Sequence, residues 1–310
     1  MSRENWRIGL LLGLFLFSVL LSIGDKELSL RETQLGIETD LISGKGIALL
    51  ELQGPISFSG QTGMMAPYSA EGILAQLDEL KEDKRVKGLL IRINSPGGTV
   101  GASQELYHGI LSFKEKTGLP VVASIADIGT SGAYYTAMAA DVIFANPGSL
   151  VGSIGVIMNS VNVEKLAERF GVDVAVYKSG PHKDILSSWR ESTLQEKEVL
   201  NDLVMNVHDQ FVKDVMMARN LSPAQAGKAT DGRFFSGEQA KELGLVDFLN
   251  GMDAALLHTA QLAGIKGEPE IIYRAKRGLG GLVNLLRQMG PQGYLASWFP
   301  FVNGPRLELR

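Results

Sequence analysis

The sequence predicts an α/β fold with largely parallel strand pairing. Short apolar runs alternate with helical spacings between residues 47 and 177. Glycine- and proline-containing turns separate them, and no long hairpin signal appears. Ile47–Leu52 opens the folded body as a strand and ends at a Gly-Pro break. Residues 58–68, rich in Gly, Ser, Met and Pro, read as a mobile loop that could shape a groove. Ile73, Leu74, Leu77 and Leu80 give residues 69–81 the spacing of an amphipathic helix. Residues 88–94 form a buried-type strand that ends at Ser95-Pro96-Gly97-Gly98.

The alternation continues with a helix over 101–116, a strand over 120–126, a turn at Ser131 and a small-residue helix from Ala133 to Ala140. A strand over 141–145, a Gly- and Ser-rich run over 148–155, a helix near 162–170 and a strand over 172–177 follow. Residues 193–219 are helical throughout. Leu221-Ser222-Pro223 stops that helix and starts another, with Ser222 as cap and Pro223 in the first turn. Ser236 and Gln239 have capping-box spacing, and the helix they open ends near Gly244. Residues 245–247 read as a terminal strand and 252–263 as a closing helix.

Composition narrows the function classes. A net charge of −4 gives no basis for a nucleic-acid partner. The absence of cysteine excludes disulfides and thiolate metal sites. No His-Glu-x-x-His spacing points to a metal, and no phosphate-binding glycine loop lies at a strand–helix junction. Ile8–Ile23 carries no charge and has Arg3 and Arg7 before it. As a helix it would span ~24 Å, against a hydrocarbon core of ~30 Å. Trp6, Gly24 and a snorkelling Arg7 bring it close to spanning. Its flanking charge favours a cytoplasmic N-terminus and an outer body. A retained anchor is the preferred reading, with cleavage at Ser22-Ile23-Gly24 as the alternative. The chain thus divides into an anchor (1–24), a linker (25–45), a body (46–265) and a tail (266–310). The tail mixes Arg274, Lys276, Arg277 and Arg287 with leucines, then Trp298, Phe299 and Phe301. It reads as a surface-docking basic helix, an arm reaching a cleft, or an unstructured end.

With no cysteine and only four histidines, hydrolytic chemistry must draw mainly on serine, lysine and carboxylates. Ser131 lies between Gly129 and Gly132 on a strand-to-helix turn, where the Gly132 N–H is an unpaired helix donor open to an oxyanion. The spacing differs from Gly-x-Ser-x-Gly, and a plain serine cap reads equally well. Gly98 is the best candidate for a second donor, although Pro-Gly alone explains a tight turn. Lys183 is the candidate base. A lysine in water is protonated at neutral pH, but burial favours the neutral amine, which can take a serine proton. Ser153 could orient that amine. A solvated lysine and a loop hydroxyl are the plain alternatives. His182, oriented by Asp184 or Asp141, is the alternative base, and no spacing selects either carboxylate. His108, His208 and His258 fall in helices and read as solvated.

The segments RINSPGG (92–98), GTSGAYYTAMAAD (129–141), PGSLVGSIGVIM (147–158), KSGPHKDI (178–185) and DGRFFSGEQAKELGLVD (231–247), in that order, resemble bacterial signal peptide peptidase A. This is a family of membrane-anchored serine–lysine peptidases with a ClpP/crotonase-like fold, and the resemblance runs from Lys45 to Ala263. It implies a spiral of ββα units, Ser131 as nucleophile and Lys183 as general base. It also implies that the Gly98 and Gly132 backbones hold the oxyanion, that Ser153 bonds the lysine, and that no cofactor or metal takes part. Hydrophobic peptides such as remnant signal peptides are the implied substrates. A ring or dome of several copies is implied, with Ser131 and Lys183 drawn from one chain or from neighbours. Thr130 and Ala133 depart from the Ser and Gly of many members, but both are small. An acyl-CoA hydratase or isomerase of the same fold and a non-catalytic membrane scaffold remain as other classes.

Overall fold

A computed structural model describes residues 45–59, 68–273 and 308–309. The expected anchor, nearly all of the linker, most of the 58–68 loop, and the tail from 274 to 307 lie outside the described residues. Among the described residues no helix is long and apolar enough to cross a membrane.

The core is a mixed sheet built mainly from parallel pairs. Its strands are β1 (Gly46–Gln53), β2 (Val86–Ser95), β4 (Val121–Thr130), β5 (Val142–Ala145), β6 (Leu150–Gly152), β7 (Phe234–Ser236), β8 (Phe248–Leu249) and β9 (Ile271–Tyr273). They run in the order β7-β6-β4-β2-β1-β9, with β5 also on β4 and β8 on β5. Only β6 and β7 pair antiparallel within it. The two-residue strands β3 (Gly98–Thr99) and β10 (Glu308–Leu309) pair antiparallel in a separate ribbon.

Side-chain alternation explains why the central strands read as continuous apolar runs. Leu50, Leu89, Ile91, Ala123 and Ile125 enter the core on one face. Their neighbours Ile47, Leu49, Leu90 and Val122 enter a second core on the other. The larger core is covered by α1 (Ala70–Glu82), α2 (Val100–Thr117) and α3 (Gly132–Ala137). Ser69 caps α1 by accepting the Gly72 N–H. Gly109 of α2 leaves room for Leu74 of α1, which a Cβ would strike.

The remaining helices are α4 (Glu164–Arg169), α5 (Leu194–Arg219), α6 (Pro223–Ala229), α7 (Gly237–Glu242) and α8 (Met252–Leu262). α8 covers the second core. α5 buries only Glu196, Phe211 and Val215. Phe211 packs on Tyr135 of α3, with ring centroids 4.7 Å apart.

Three expectations need correction. Residues 172–177 form no strand, and Val172, Val174 and Val176 are exposed with no pairing partner among the described residues. The terminal strand falls at Phe248–Leu249 because Leu245 and Val246 are buried after the Gly244 turn and Asp247 accepts the Ile143 N–H. β4 continues to Thr130, so Ser131 follows the strand directly. β7 and β9 carried no readable sequence signal, being three residues each.

Phe211→Ala should lower stability by about 3–5 kcal/mol, because it empties a buried aromatic site under α5. A urea midpoint equal to that of the parent would show that α5 does not dock through this ring.

Candidate active site

Strand β4 forks beyond Ala126. Residues Val122–Ile125 pair with β5, whereas Ile128–Thr130 pair with β6. The Ala126 carbonyl at the fork accepts from the Ser149 hydroxyl and from Asn146 Nδ2. The second branch carries Ser131 to the end of β6, where its N–H donates to the Gly152 carbonyl at 2.8 Å.

Ser131 precedes α3 with φ 55° and ψ −121°, and its side chain makes no cap hydrogen bond. Ser69, Ser222, Ser236 and Thr193 also precede helices. Each is extended, with φ near −70° and a side chain that accepts a helix N–H. The plain-cap reading of Ser131 therefore fails on its backbone. A non-glycine residue with positive φ costs about 1–3 kcal/mol and persists only where its surroundings hold it. Here the Gly152 carbonyl holds its N–H, and the helix behind it is anchored at two tyrosines. Tyr134 donates to the Leu245 carbonyl at 2.9 Å, and Tyr135 donates to the Asp214 carboxylate. Burial pushes both phenols well above their usual range, so they remain donors. Ser131 is fully buried, and its Oγ has no hydrogen-bond partner among the described residues.

The two glycines lie beside it. The Gly98 N is 3.2 Å from the point a Gly132 Cβ would occupy, so the two backbones flank one small space. A Cβ on Gly132 would strike Ser103 Oγ, and one on Gly98 would strike the Ile56 carbonyl oxygen. The Gly97 carbonyl accepts the Ile56 N–H, and the Thr99 N–H donates to the Ile56 carbonyl, both at 2.9 Å. By strand alternation, the N–H and carbonyl of Gly98 face the opposite edge. That edge is where Leu309 of β10 stands opposite Gly98 and Glu308 opposite Thr99. Side chains stitch the turn: Ser95 Oγ accepts the Gly97 N–H, Thr130 Oγ1 donates to the Pro96 carbonyl, and Ser103 Oγ donates to the Thr99 carbonyl. Gly152, Ser95, Thr130 and Ser103 carry no local sequence signal for these roles beyond small residues clustered in the turns.

Ser153 follows Gly152 directly. It is buried, has φ 49°, and donates its N–H to the Arg233 carbonyl at 2.8 Å. Ser131, Gly132, Gly98 and the Gly152–Ser153 turn thus form one cluster. Lys183 is exposed on a run of turns from 181 to 186, and no hydrogen bond joins it to Ser131 Oγ. His182 has a buried Nδ1 with no partner among the described residues. Its two candidate carboxylates are used elsewhere: Asp184 by Lys178 and Arg190, and Asp141 by Lys114 and the Val121 N–H. His208 and His258 are not simply solvated. His208 Nε2 is 2.8 Å from the Thr230 carbonyl, and His258 packs on Phe144 and Phe248.

The cluster can present a hydroxyl beside two backbone donors, which is the arrangement acyl transfer requires. Comparison with known proteins agrees with that chemistry. Residues 113–266 match the model of peptidase family S49. A candidate protease of Synechocystis sp. is 44% identical over 66% of this chain and 73% of its own length. A candidate signal peptide peptidase SppA of Enterococcus faecium is 34% identical over 83% of this chain and 80% of its own. The chloroplastic serine protease SPPA of Arabidopsis thaliana is 29% identical over 71% of this chain and 32% of its own. The chain belongs to peptidase family S49, as a protease of the SppA type.

Proposed function

We propose that the chain is a membrane-anchored serine endopeptidase that uses Ser131 and Lys183 to hydrolyse hydrophobic peptides such as remnant signal peptides. The observation that carries this reading is Ser131, a buried hydroxyl on strained backbone, unpartnered beside the Gly98 and Gly132 backbones. Ser131 Oγ attacks the scissile carbonyl while the neutral Lys183 amine takes its proton. The Gly98 and Gly132 N–H groups receive the oxyanion. Lys183 returns the proton to the leaving amine, and water, deprotonated by Lys183, then releases the acyl group and regenerates Ser131. Ser153 orients the lysine. The parallel-rich sheet is compatible with a ClpP/crotonase-like spiral of ββα units. The names of the Arabidopsis and Enterococcus relatives support the serine type and the signal-peptide substrate.

Lys183 reaches Ser131 from a second copy of the chain in this reading. Lys183 lies in a segment that exposes Leu166, Phe170, Val172, Val174, Val176 and Tyr177, an apolar surface suited to burial against another subunit. A ring or dome of copies would complete each site at an interface. The uncharged run Ile8–Ile23 tethers the assembly to the cytoplasmic membrane with its catalytic body outside. The tail limits access: Glu308–Leu309 pairs with Gly98–Thr99 along the edge an extended substrate would use.

Ser131→Ala and Lys183→Ala should each abolish cleavage of a fluorogenic peptide, while His182→Ala keeps turnover. Mixed assemblies of the two inactive variants should recover part of the activity. Activity in either single variant removes the dyad; mixed assemblies that form but stay inactive place both groups in one chain. Truncation after Tyr273 keeps β9 and should raise peptidase activity. Unchanged activity with weakened membrane binding would assign the tail to the membrane instead.

A further inference from the structure

Lys183 belongs to a part of the chain with almost no hydrophobic anchorage. From Gly155 to Gln195 no residue is buried, and the first buried residue beyond is a carboxylate, Glu196. The turns that carry Lys183 are held locally by Lys183 N–H to Gly180 carbonyl at 3.2 Å, Ile185 N–H to His182 carbonyl at 3.2 Å and Ser187 N–H to Asp184 carbonyl at 2.9 Å. Such bonds shape a loop but do not fix where it lies.

Arg190 supplies that placement. Its Nε and Nη2 donate to the two Asp184 carboxylate oxygens at 2.8 and 2.7 Å. Its Nη1 and Nη2 donate to the two Glu196 oxygens at 2.8 and 2.5 Å. The Asp184 and Glu191 carbonyls take further contacts at 3.3 and 3.1 Å. Lys178 Nζ adds a bond to Asp184 at 2.6 Å. Glu196 is itself fixed by the capping box of α5, where it accepts the Thr193 N–H at 2.9 Å. α5 is rooted in the body by Phe211 and Val215.

We infer that Arg190 is a positioning residue that clamps the Lys183 turn, through Asp184, to the Glu196 end of α5. The inference rests on Lys183 being the base. Only a planar guanidinium can grip two carboxylates in this forked way, which lysine cannot reproduce. Arg190 holds the Asp184 carboxyl well below its usual range and Glu196 at about 2. Depressed carboxylates contribute above their unfolded values and fail as pH falls through the folded ones. The clamp therefore stays charged throughout a neutral-to-alkaline assay, and an activity change there reports placement of the lysine.

The test is kcat per active site, counted by fluorophosphonate labelling, for Arg190→Ala, Arg190→Lys and Glu196→Gln in the full chain. Arg190→Ala should lower kcat about 10- to 100-fold, as small misplacement of a catalytic group does, with KM little changed. Arg190→Lys should not restore it, and Glu196→Gln should give an intermediate loss. An unchanged kcat per labelled site in Arg190→Ala overturns the inference, as does full rescue by lysine. Activity in Lys183→Ala overturns the underlying dyad instead, so the two failures are distinguishable. If Arg190→Ala does not assemble, Glu196→Gln decides the matter by the same measurement.

Discussion

A strand can hold only one neighbour on each edge at a given residue, and β4 meets that limit by forking. β2 occupies one edge, while β5 and β6 divide the other on either side of Ala126. The division brings the Gly152 carbonyl to the Ser131 N–H and the Ser149 hydroxyl to the freed Ala126 carbonyl. On the β2 edge, a register shift between Ile93 and Ser95 aligns Gly129 with Ser95, which sets the Pro96–Gly98 turn beside the serine. The close approach of Gly98 and Gly132 follows from that register.

The core strands were legible because both their faces are buried, leaving runs such as Leu89–Ile93 with few polar interruptions. Helix ends were legible where a side chain caps, as at Ser222 and Ser236. Ser131 shows the limit. Its sequence neighbourhood resembles those caps, and its backbone angles and uncapping hydroxyl separate it from them. Angles of that kind arise from long-range pairing with Gly152, which no local pattern encodes. Residues 172–177 alternate as a strand would, yet they form none, and no strand pairs with them among the described residues. Arg190 was unreadable for a similar reason: its meaning depends on Asp184 and Glu196 converging in space.

The body therefore contains two kinds of order. Around Ser131, close packing holds the backbone under strain, with tyrosine hydroxyls tied to carbonyl and carboxylate. Around Lys183, hydrogen-bonded charge takes the place of a core. Strain tolerates little movement, whereas an ion-paired loop can adjust to a neighbouring surface before locking. That difference suits the proposed site, in which a serine set within one chain is met by a lysine on assembly.

The short β3 edge has a consequence for selection. Ile56 pairs along one side of Gly98–Thr99, so a guest in the proposed reading would take the other side in place of Glu308–Leu309. Pairing there engages peptide groups rather than side chains, and a guest must offer its own amides unspent. A helical span, however apolar, has already committed them internally and must first unwind. If substrate takes this edge as proposed, the entry requirement is conformational: chains that have come apart can pair there, and intact helices of the same composition cannot.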